Sequence, residues 1–415
     1  MDSKSDFLIV GGGVIGTACA YYLTERGAKV TLIDRGEVGF GCSYGNGGLI
    51  VPSHSFPLSM PGTLSQAGKW LLKPDSPLYI KPRLSWQLIS WLLRFLRYST
   101  RAHLEHAVTA LASLSSHSIE LFDQLAAAAR TRMRYEKNGS LYVFSTEAGM
   151  QHGREELEIL RRHGVHGREL DEGALRELEP SVIGPVYGGT HYENEAQAEP
   201  LAVVQTFARL IEERGGVVLP GTELIDWHCS GRRIKGVRTT RGTLRVGQII
   251  LAGGAWSPQL TRTLGLNVPI QGGKGYAVTI EPFTPSPRIP VLVLEARIGV
   301  TPRADSVRLA GTLELAGLDE TINVRRVDAI IHGARQFFAL PEALKVVEVW
   351  RGLRPCTPDG LPLIGRHDRW ENLTIAAGHN MLGLTLGPAT GHLVADLLTG
   401  QTPAVDPAPF RPGRF

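Results

Sequence analysis

The sequence predicts an α/β fold in which two domains share one chain, and three observations carry that prediction. A strand, a Gly-x-Gly-x-x-Gly turn and a helix open the chain. The patterns that follow run α/β, helical and strand-rich, α/β, strand-rich and α/β again, so the chain crosses between units several times. Its 415 residues suffice for two or three compact units at roughly 150 residues each.

The elements follow in order. Asp6 to Val10 is a short apolar run, Gly11-Gly-Gly-Val-Ile-Gly16 is the turn, and Thr17 to Arg26 has helical apolar spacing with Gly27 just past its end. Lys29 to Ile33 makes a second strand ending in Asp34. Leu84 to Tyr98 reads as a helix whose polar residues Gln87, Ser90, Arg94 and Arg97 form one narrow stripe. A second amphipathic helix presents Leu104, Val108, Leu111, Leu114, Leu121 and Leu125. Gly139 to Ser145 reads as a strand, and Asp171 to Glu179 as a short helix stopped by Pro180. Glu199-Pro200 begins a helix that runs to Gly215-Gly216. Strands at Val217 to Leu219 and Thr222 to Trp227, a hairpin-like stretch from Arg233 to Arg245, and Gln248 to Ala252 before Gly253-Gly254 complete another α/β block. Val268 to Val349 is strand-rich. Leu373 to Ala377 is a strand, followed by a Gly-rich turn and a last helix of about 12 residues that ends near Gly400.

Composition excludes several classes. With 44 Lys plus Arg against 40 Asp plus Glu, the net charge of +4 carries no nucleic-acid commitment. The four cysteines lie far apart without metal-ligand spacing, which excludes a disulfide scaffold and a zinc ribbon, and no metal is expected; a reducing, cytoplasmic setting is the default. No export signal precedes the first strand. The stretches Val38 to Gly68 and Asn372 to Ala395 contain no Asp, Glu, Lys or Arg. Gly, Pro, Asn and His interrupt both, so they read as uncharged walls of a pocket for a large flat ligand and not as membrane spans. The segment 69–101 holds seven Lys or Arg against Asp75 alone and includes the Trp- and Leu-rich helix. It reads either as a peripheral contact at the inner membrane face or as a helix buried between domains.

The Gly-rich turn is where chemistry enters. In a chain with 48 Gly among 415 residues, chance alone yields roughly 0.6 matches to Gly-x-Gly-x-x-Gly, so context must supply the specificity. The match follows a strand, opens a helix, and is followed 18 residues after Gly16 by Asp34, an acceptor for a ribose diol. Asp34 suits a nicotinamide or a flavin dinucleotide equally. The uncharged Gly41-Cys-Ser-Tyr-Gly-Asn-Gly-Gly-Leu-Ile50 run and a second uncharged turn, Gly378 to Gly383, favour an extended FAD gripped from both chain ends.

Six segments run in order along nearly the whole chain: Val10 to Gly16, Cys42-Ser-Tyr-Gly-Asn-Gly-Gly48, Lys274-Gly-Tyr276, Ala310-Gly-Thr-Leu-Glu314, Gly352-Leu-Arg-Pro-Cys-Thr-Pro-Asp-Gly360 and Gly378-His-Asn-Met-Leu-Gly-Leu-Thr385. In them the sequence resembles the superfamily of FAD-dependent D-amino acid oxidases and dehydrogenases, and within it the bacterial D-amino acid dehydrogenase small subunit and its hydroxyproline dehydrogenase relatives. Leu49 departs from the family, where Gln is common, and Cys356 falls inside the Gly-Leu-Arg-Pro motif. The resemblance implies a Rossmann-type FAD-binding domain (1–80, 181–267 and 350–415) interleaved with an α+β substrate domain on a mostly antiparallel sheet (81–180 and 268–349). It implies cofactor contacts from Gly11, Gly13, Val14, Ile15, Gly16, Asp34 and Arg35. Further contacts are implied from Cys42, Ser43, Asn46, Gly47, Gly48, Leu49 and Gly253, and from Gly378, His379, Met381, Gly383, Leu384 and Thr385.

The implied reaction is oxidative deamination of a D-amino acid to a 2-oxo acid and ammonia, with hydride passing from Cα to flavin N5 and electrons on to a quinone or another non-oxygen acceptor. The cofactor carries the redox step, so the protein must orient the carboxylate, and Arg354 is the residue the resemblance gives that role. His54 and Tyr276 are further candidates for contact with the substrate. D-hydroxyproline or another cyclic imino acid is the alternative substrate, and an oxygen-using oxidase the alternative enzyme. A non-catalytic flavoprotein subunit would not need Arg354. A flavin-nicotinamide reductase would need a second dinucleotide turn, which the chain lacks.

Overall fold

The structure is a computed structural model that describes residues 5–62, 78–80 and 85–415. Positions 69–77 and 81–84 of the basic segment therefore lie outside the described residues. The apolar runs at the start of the chain are strands in the parallel part of a sheet that an antiparallel ribbon extends at one side, and Leu8, Ile9 and Leu32 are fully inaccessible. Its order is Leu224–Ser230, Arg233–Thr239, Gly242–Leu251, Ser5–Val10, Val30–Ile33 and Val217–Leu219. Leu373–Ala377 joins in parallel beside Gly242–Leu251 and carries the antiparallel Leu363–Arg366 strand.

Three helices, Val14–Glu25, Pro200–Glu213 and Gly383–Thr399, cover one face of this sheet, and Arg101–Met133 lies over the last two. Val14–Glu25 and Gly383–Thr399 pack directly on each other, so the two chain ends meet in one core. On the other face, Trp227, Ile234 and Val237 of the antiparallel ribbon pack on Leu8, Val10 and Ile33. The Arg101–Met133 helix, which falls within the 81–180 segment expected in the substrate domain, packs on both units: Ala107, Leu111 and Leu114 join the core where the chain ends meet, and Val108 and Ala112 pack with Tyr142 and Phe144 of a second sheet.

The second sheet has nine described strands and is mostly antiparallel, in the order Val346–Cys356, Gln271–Ile280, Val307–Leu315, Ile298–Pro302, Val291–Val293, Ser140–Phe144, Gly188–Tyr192 and Arg168–Asp171, with Leu78–Ile80 beside Val307–Leu315. It takes strands from both sides of the expected boundaries at 81, 181 and 350. One face is closed by the Val324–Arg335 and Glu172–Leu178 helices, whose Ile330 and Leu175 form a core with Leu141, Val143, Tyr276 and Val278. Strand alternation sends Tyr142, Phe144, Gly275, Trp350, Gly352 and Arg354 to the opposite face.

Candidate active site

The parallel strands aim their carboxyl ends at one region, as open α/β sheets do at ligand sites. Gly11 and Val14 after the first strand, Asp34 after the second, Gly253 after Gly242–Leu251 and His379 after Leu373–Ala377 line a cavity of about 1360 Å³. That exceeds the roughly 300–1,000 Å³ of an ordinary small-molecule pocket. The cavity continues to the open face of the second sheet, where Tyr142, Thr312, Trp350 and Arg354 close it.

At the nucleotide end, Gly11 has φ +114°, and a Cβ there would meet Ala252 O, so the turn requires glycine. Asp34 accepts the amide of Gly12 at 2.6 Å and that of Gly36 at 2.8 Å. Its carboxylate thus fixes the turn as well as facing the cavity. The Val14 amide, at the start of the first helix, donates to Ser43 Oγ at 3.0 Å. This ties the Gly41–Leu49 loop to a helix N-terminus. Arg308, 2% exposed, donates from Nη1 to Tyr44 O at 3.1 Å and Asn46 O at 3.0 Å, so the second sheet grips the same loop.

At the other end, Arg354 donates from Nη1 to Thr312 O at 2.6 Å. Burial pulls its pKa down, and among the described residues no carboxylate is paired with it. Thr312 adopts φ +60° at a bulge opposite Gly275, which turns its carbonyl to the guanidinium. A Cβ on Gly275 would overlap that guanidinium, and a Cβ on Gly352 or Gly45 would overlap the Trp350 indole. Glycines on adjacent strands therefore make the room in which the cation and the indole lie. His54 Nδ1 lies 3.2 Å from Tyr142 OH, and burial lowers the His54 pKa, with Glu156 pulling it up and Arg354 pushing it further down. His379 Nε2 meets Thr390 Oγ1 at 3.0 Å, and burial takes its pKa down to about 3, so it is a neutral imidazole.

The structure brings most sequence-predicted residues to this one cavity, Arg35, Cys42, Leu49, Met381, Gly383, Leu384 and Thr385 included. Gly16, Gly48 and Gly378 do not line it. Gly16 instead lets the helix approach Gly11 O, where a Cβ would clash. Tyr276 borders the cavity, but its ring belongs to the core on the helix-covered face and its hydroxyl donates to Glu314 Oε2 at 3.0 Å. Lys274 joins it there, 1% exposed, with Glu314 at 3.7 Å and Asp319 at 3.4 Å. Cys356 is fully buried with its pKa pushed up to about 12, an unreactive thiol. Sequence reasoning missed Trp350, Thr312, Gly275, Tyr142 and Arg308. Gly275 and Thr312 lie inside two of the motifs that carry the resemblance, and Trp350 precedes Gly352 and Arg354 at intervals of two on one strand, whereas Tyr142 and Arg308 left no such signal.

The profile of the DAO family, FAD dependent oxidoreductase, matches residues 6–397. The chain is 30% identical to a D-amino acid dehydrogenase of Granulibacter bethesdensis over 415 residues, covering 98% of this chain and 99% of that one. It is 32% identical to one of Methylobacterium nodulans, covering 96% of each. Among solved structures, L-proline dehydrogenase from P. horikoshii superposes with a TM-score of 0.81 at 21% identity over 100% of this chain and 98% of that one. Glycine oxidase from Geobacillus kaustophilus gives 0.81 at 24% identity over 99% of each.

Proposed function

The chain belongs to the DAO family of FAD-dependent oxidoreductases, and on that premise we propose that it oxidises D-amino acids to 2-oxo acids and ammonia as a dehydrogenase. The carrying observation is Arg354, a cation buried in the cavity with a carbonyl but, among the described residues, no carboxylate as partner. Such a group is complementary to the carboxylate of a small substrate. The relatives named D-amino acid dehydrogenase support the substrate class.

FAD is the cofactor, and the residues fit it. The Gly11–Ile15 turn with the first helix N-terminus suits the pyrophosphate, Asp34 the adenosine ribose, and the Gly41–Leu49 and His379–Thr385 segments the flavin. When bound, the flavin supplies the acceptor for the electron pair leaving Cα. Arg354 holds the carboxylate, and the Thr312 carbonyl fixes the guanidinium plane. Trp350 closes one wall and excludes water. His54, kept neutral by its surroundings, faces the substrate nitrogen. Tyr276 serves as a border of the pocket with its hydroxyl engaged elsewhere.

In this reading the electrons pass to a membrane quinone. The Trp86–Tyr98 helix supports it, because Leu88, Trp91 and Phe95 anchor one face while Trp86 is 77% and Leu93 58% exposed on another. Anaerobic mixing of the holoenzyme with D- and L-amino acids tests the proposal. Bleaching of oxidised flavin absorbance by D-amino or D-imino acids is expected, and bleaching by L-enantiomers alone, or by neither, overturns it. Rapid re-oxidation by oxygen with none by quinones would make the enzyme an oxidase.

A further inference from the structure

Glu195 is 2% exposed and has no part in the reaction as described above. It sits behind the cavity wall, between the Pro52–His54 turn and the Ser140–Phe144 strand. Ser53 donates its amide to Oε1 at 2.6 Å and meets the carboxyl with its hydroxyl too, while Ser140 Oγ donates to Oε2. Among the described residues, the groups facing Glu195 are these two serines together with Tyr142 and Tyr192. No cation is among them. A buried carboxyl held by hydroxyls and one amide, without a counter-ion, is costly to ionise, and its pKa rises to about 7.

The hydrogen bonds do not stop there. Ser53 Oγ and Tyr142 OH are 2.8 Å apart, and Tyr142 OH lies 3.2 Å from His54 Nδ1. Tyr142 and His54 line the cavity that holds Arg354. Three side chains, His54, Tyr142 and Ser53, thus connect the substrate pocket to the buried Glu195 carboxyl.

We propose that Glu195 is the inner end of a proton relay through Ser53, Tyr142 and His54 that takes the proton from the substrate ammonium before the amine can be oxidised. This rests on the amino acid reading given above. An amino acid at neutral pH arrives as an ammonium, and its nitrogen lone pair must be free for the C–H bond to break toward an iminium. In the receptive state Ser53 donates to the Glu195 carboxylate, Tyr142 to Ser53, and His54 Nδ1–H to Tyr142, leaving the Nε2 lone pair toward the cavity. The ammonium gives one proton to Nε2. In the same sense Nδ1–H passes to Tyr142 O, the phenol proton to Ser53 Oγ, and the serine proton to Glu195. Each intermediate group ends with the proton count it began with. One N–H bond has broken, one carboxyl O–H has formed, and no electrons have moved. The neutral His54 and strongly raised Tyr142 pKa suit such a relay, since neither retains the charge it passes on.

The test uses the holoenzyme, Glu195→Gln and, as a variant that keeps the buried carboxyl and the ring, Tyr142→Phe. Infrared pH titration without substrate should show a protonated-carboxyl band that disappears near pH 7 in the wild type and Tyr142→Phe and is missing from Glu195→Gln. With D-amino acids, wild-type kcat/KM should rise with pH through about 7 as the carboxylate forms. Both variants should lose that limb and fall at least tenfold at pH 8, with flavin retained, and should recover part of the loss at high pH, where free amine substrate is abundant. An infrared band that does not titrate between pH 6 and 8, or a Tyr142→Phe profile superimposable on wild type, overturns the relay. Failure of every D-amino acid to bleach the flavin would instead overturn the amino acid reading, while the infrared titration would still judge Glu195.

Discussion

A guanidinium buried against a carbonyl keeps its charge, because arginine does not give up its proton under protein conditions, and so it presents an uncompensated positive field to whatever enters the cavity. Arg354 is in that situation, and its substitution should read out the substrate carboxylate directly. A charge-assisted bond is worth about 1.5–3 kcal/mol, more when a buried partner is left alone. At roughly 1.4 kcal/mol per decade, kcat/KM should fall at least tenfold in Arg354→Lys and by several decades in Arg354→Ala, with FAD still bound and amide substrates far less affected. Near-normal kinetics of Arg354→Ala would remove the main support of the substrate assignment. Gly275 offers an independent check. Its backbone is ordinary extended strand, so alanine is conformationally acceptable, but the added methyl must displace the Arg354 guanidinium. A misplacement of about 1 Å at a reacting centre can cost about 100-fold, and Gly275→Ala should lose activity on that scale while retaining flavin. Steady-state kinetics beside the flavin spectrum decides the outcome.

At the scale of elements, the Trp86–Tyr98 helix is the one whose surroundings invite experiment. Its three faces are an anchored apolar one, a polar one with Arg94 and Arg97, and an exposed apolar one with Trp86, Ile89, Leu93 and Leu96. The sequence offered burial between domains and contact with a membrane as alternatives, and the helix divides itself between a buried and an exposed apolar face. Burying a leucine side chain is worth about 1.5–3 kcal/mol, so Leu93→Glu with Leu96→Glu should weaken binding to phosphatidylserine vesicles more than tenfold. Thermal stability should hardly change, because both positions are exposed. Vesicle flotation at low salt gives the answer, and a wild type that does not float removes the membrane contact. Two other helices escaped the sequence altogether. Glu147–Arg161 contains Gly149 and Gly153, which argue against a helix by propensity, yet Gly153 is there because a Cβ would strike the Phe144 ring. Val324–Arg335 is rich in β-branched residues, and its Gly333 makes room for Ile298. Tertiary fit chose the residues in both cases, and fit between distant segments leaves no local period to read. The nucleotide turn was legible for the opposite reason, since its strand, glycines and helix are contiguous. Tyr276 shows the limit, because the face on which it stands depends on strand pairing that the motif around it does not encode.

For the whole molecule, the consequence of building one cavity from two sheets is that the cofactor should stabilise both together. Arg308 reaches from one sheet to the loop at the other, and the cavity walls come from each. At a free FAD concentration 100 times its Kd, linkage adds about 2.7 kcal/mol to the folded state. Calorimetry should show a single unfolding transition that moves down when FAD is removed. Two transitions, only one of them sensitive to FAD, would show that the sheets unfold independently. The meeting of the Val14–Glu25 and Gly383–Thr399 helices in one core has a consequence during synthesis as well. The Val14–Glu25 helix leaves the ribosome well before the Gly383–Thr399 helix that seals its apolar face. While the intervening chain is made the nascent chain exposes that face, and non-local closure of this kind is slow and open to aggregation. Chaperone occupancy should therefore persist on the nascent chain until the last helix emerges, and a premature stop before Gly383 should yield an insoluble product and not a smaller folded domain.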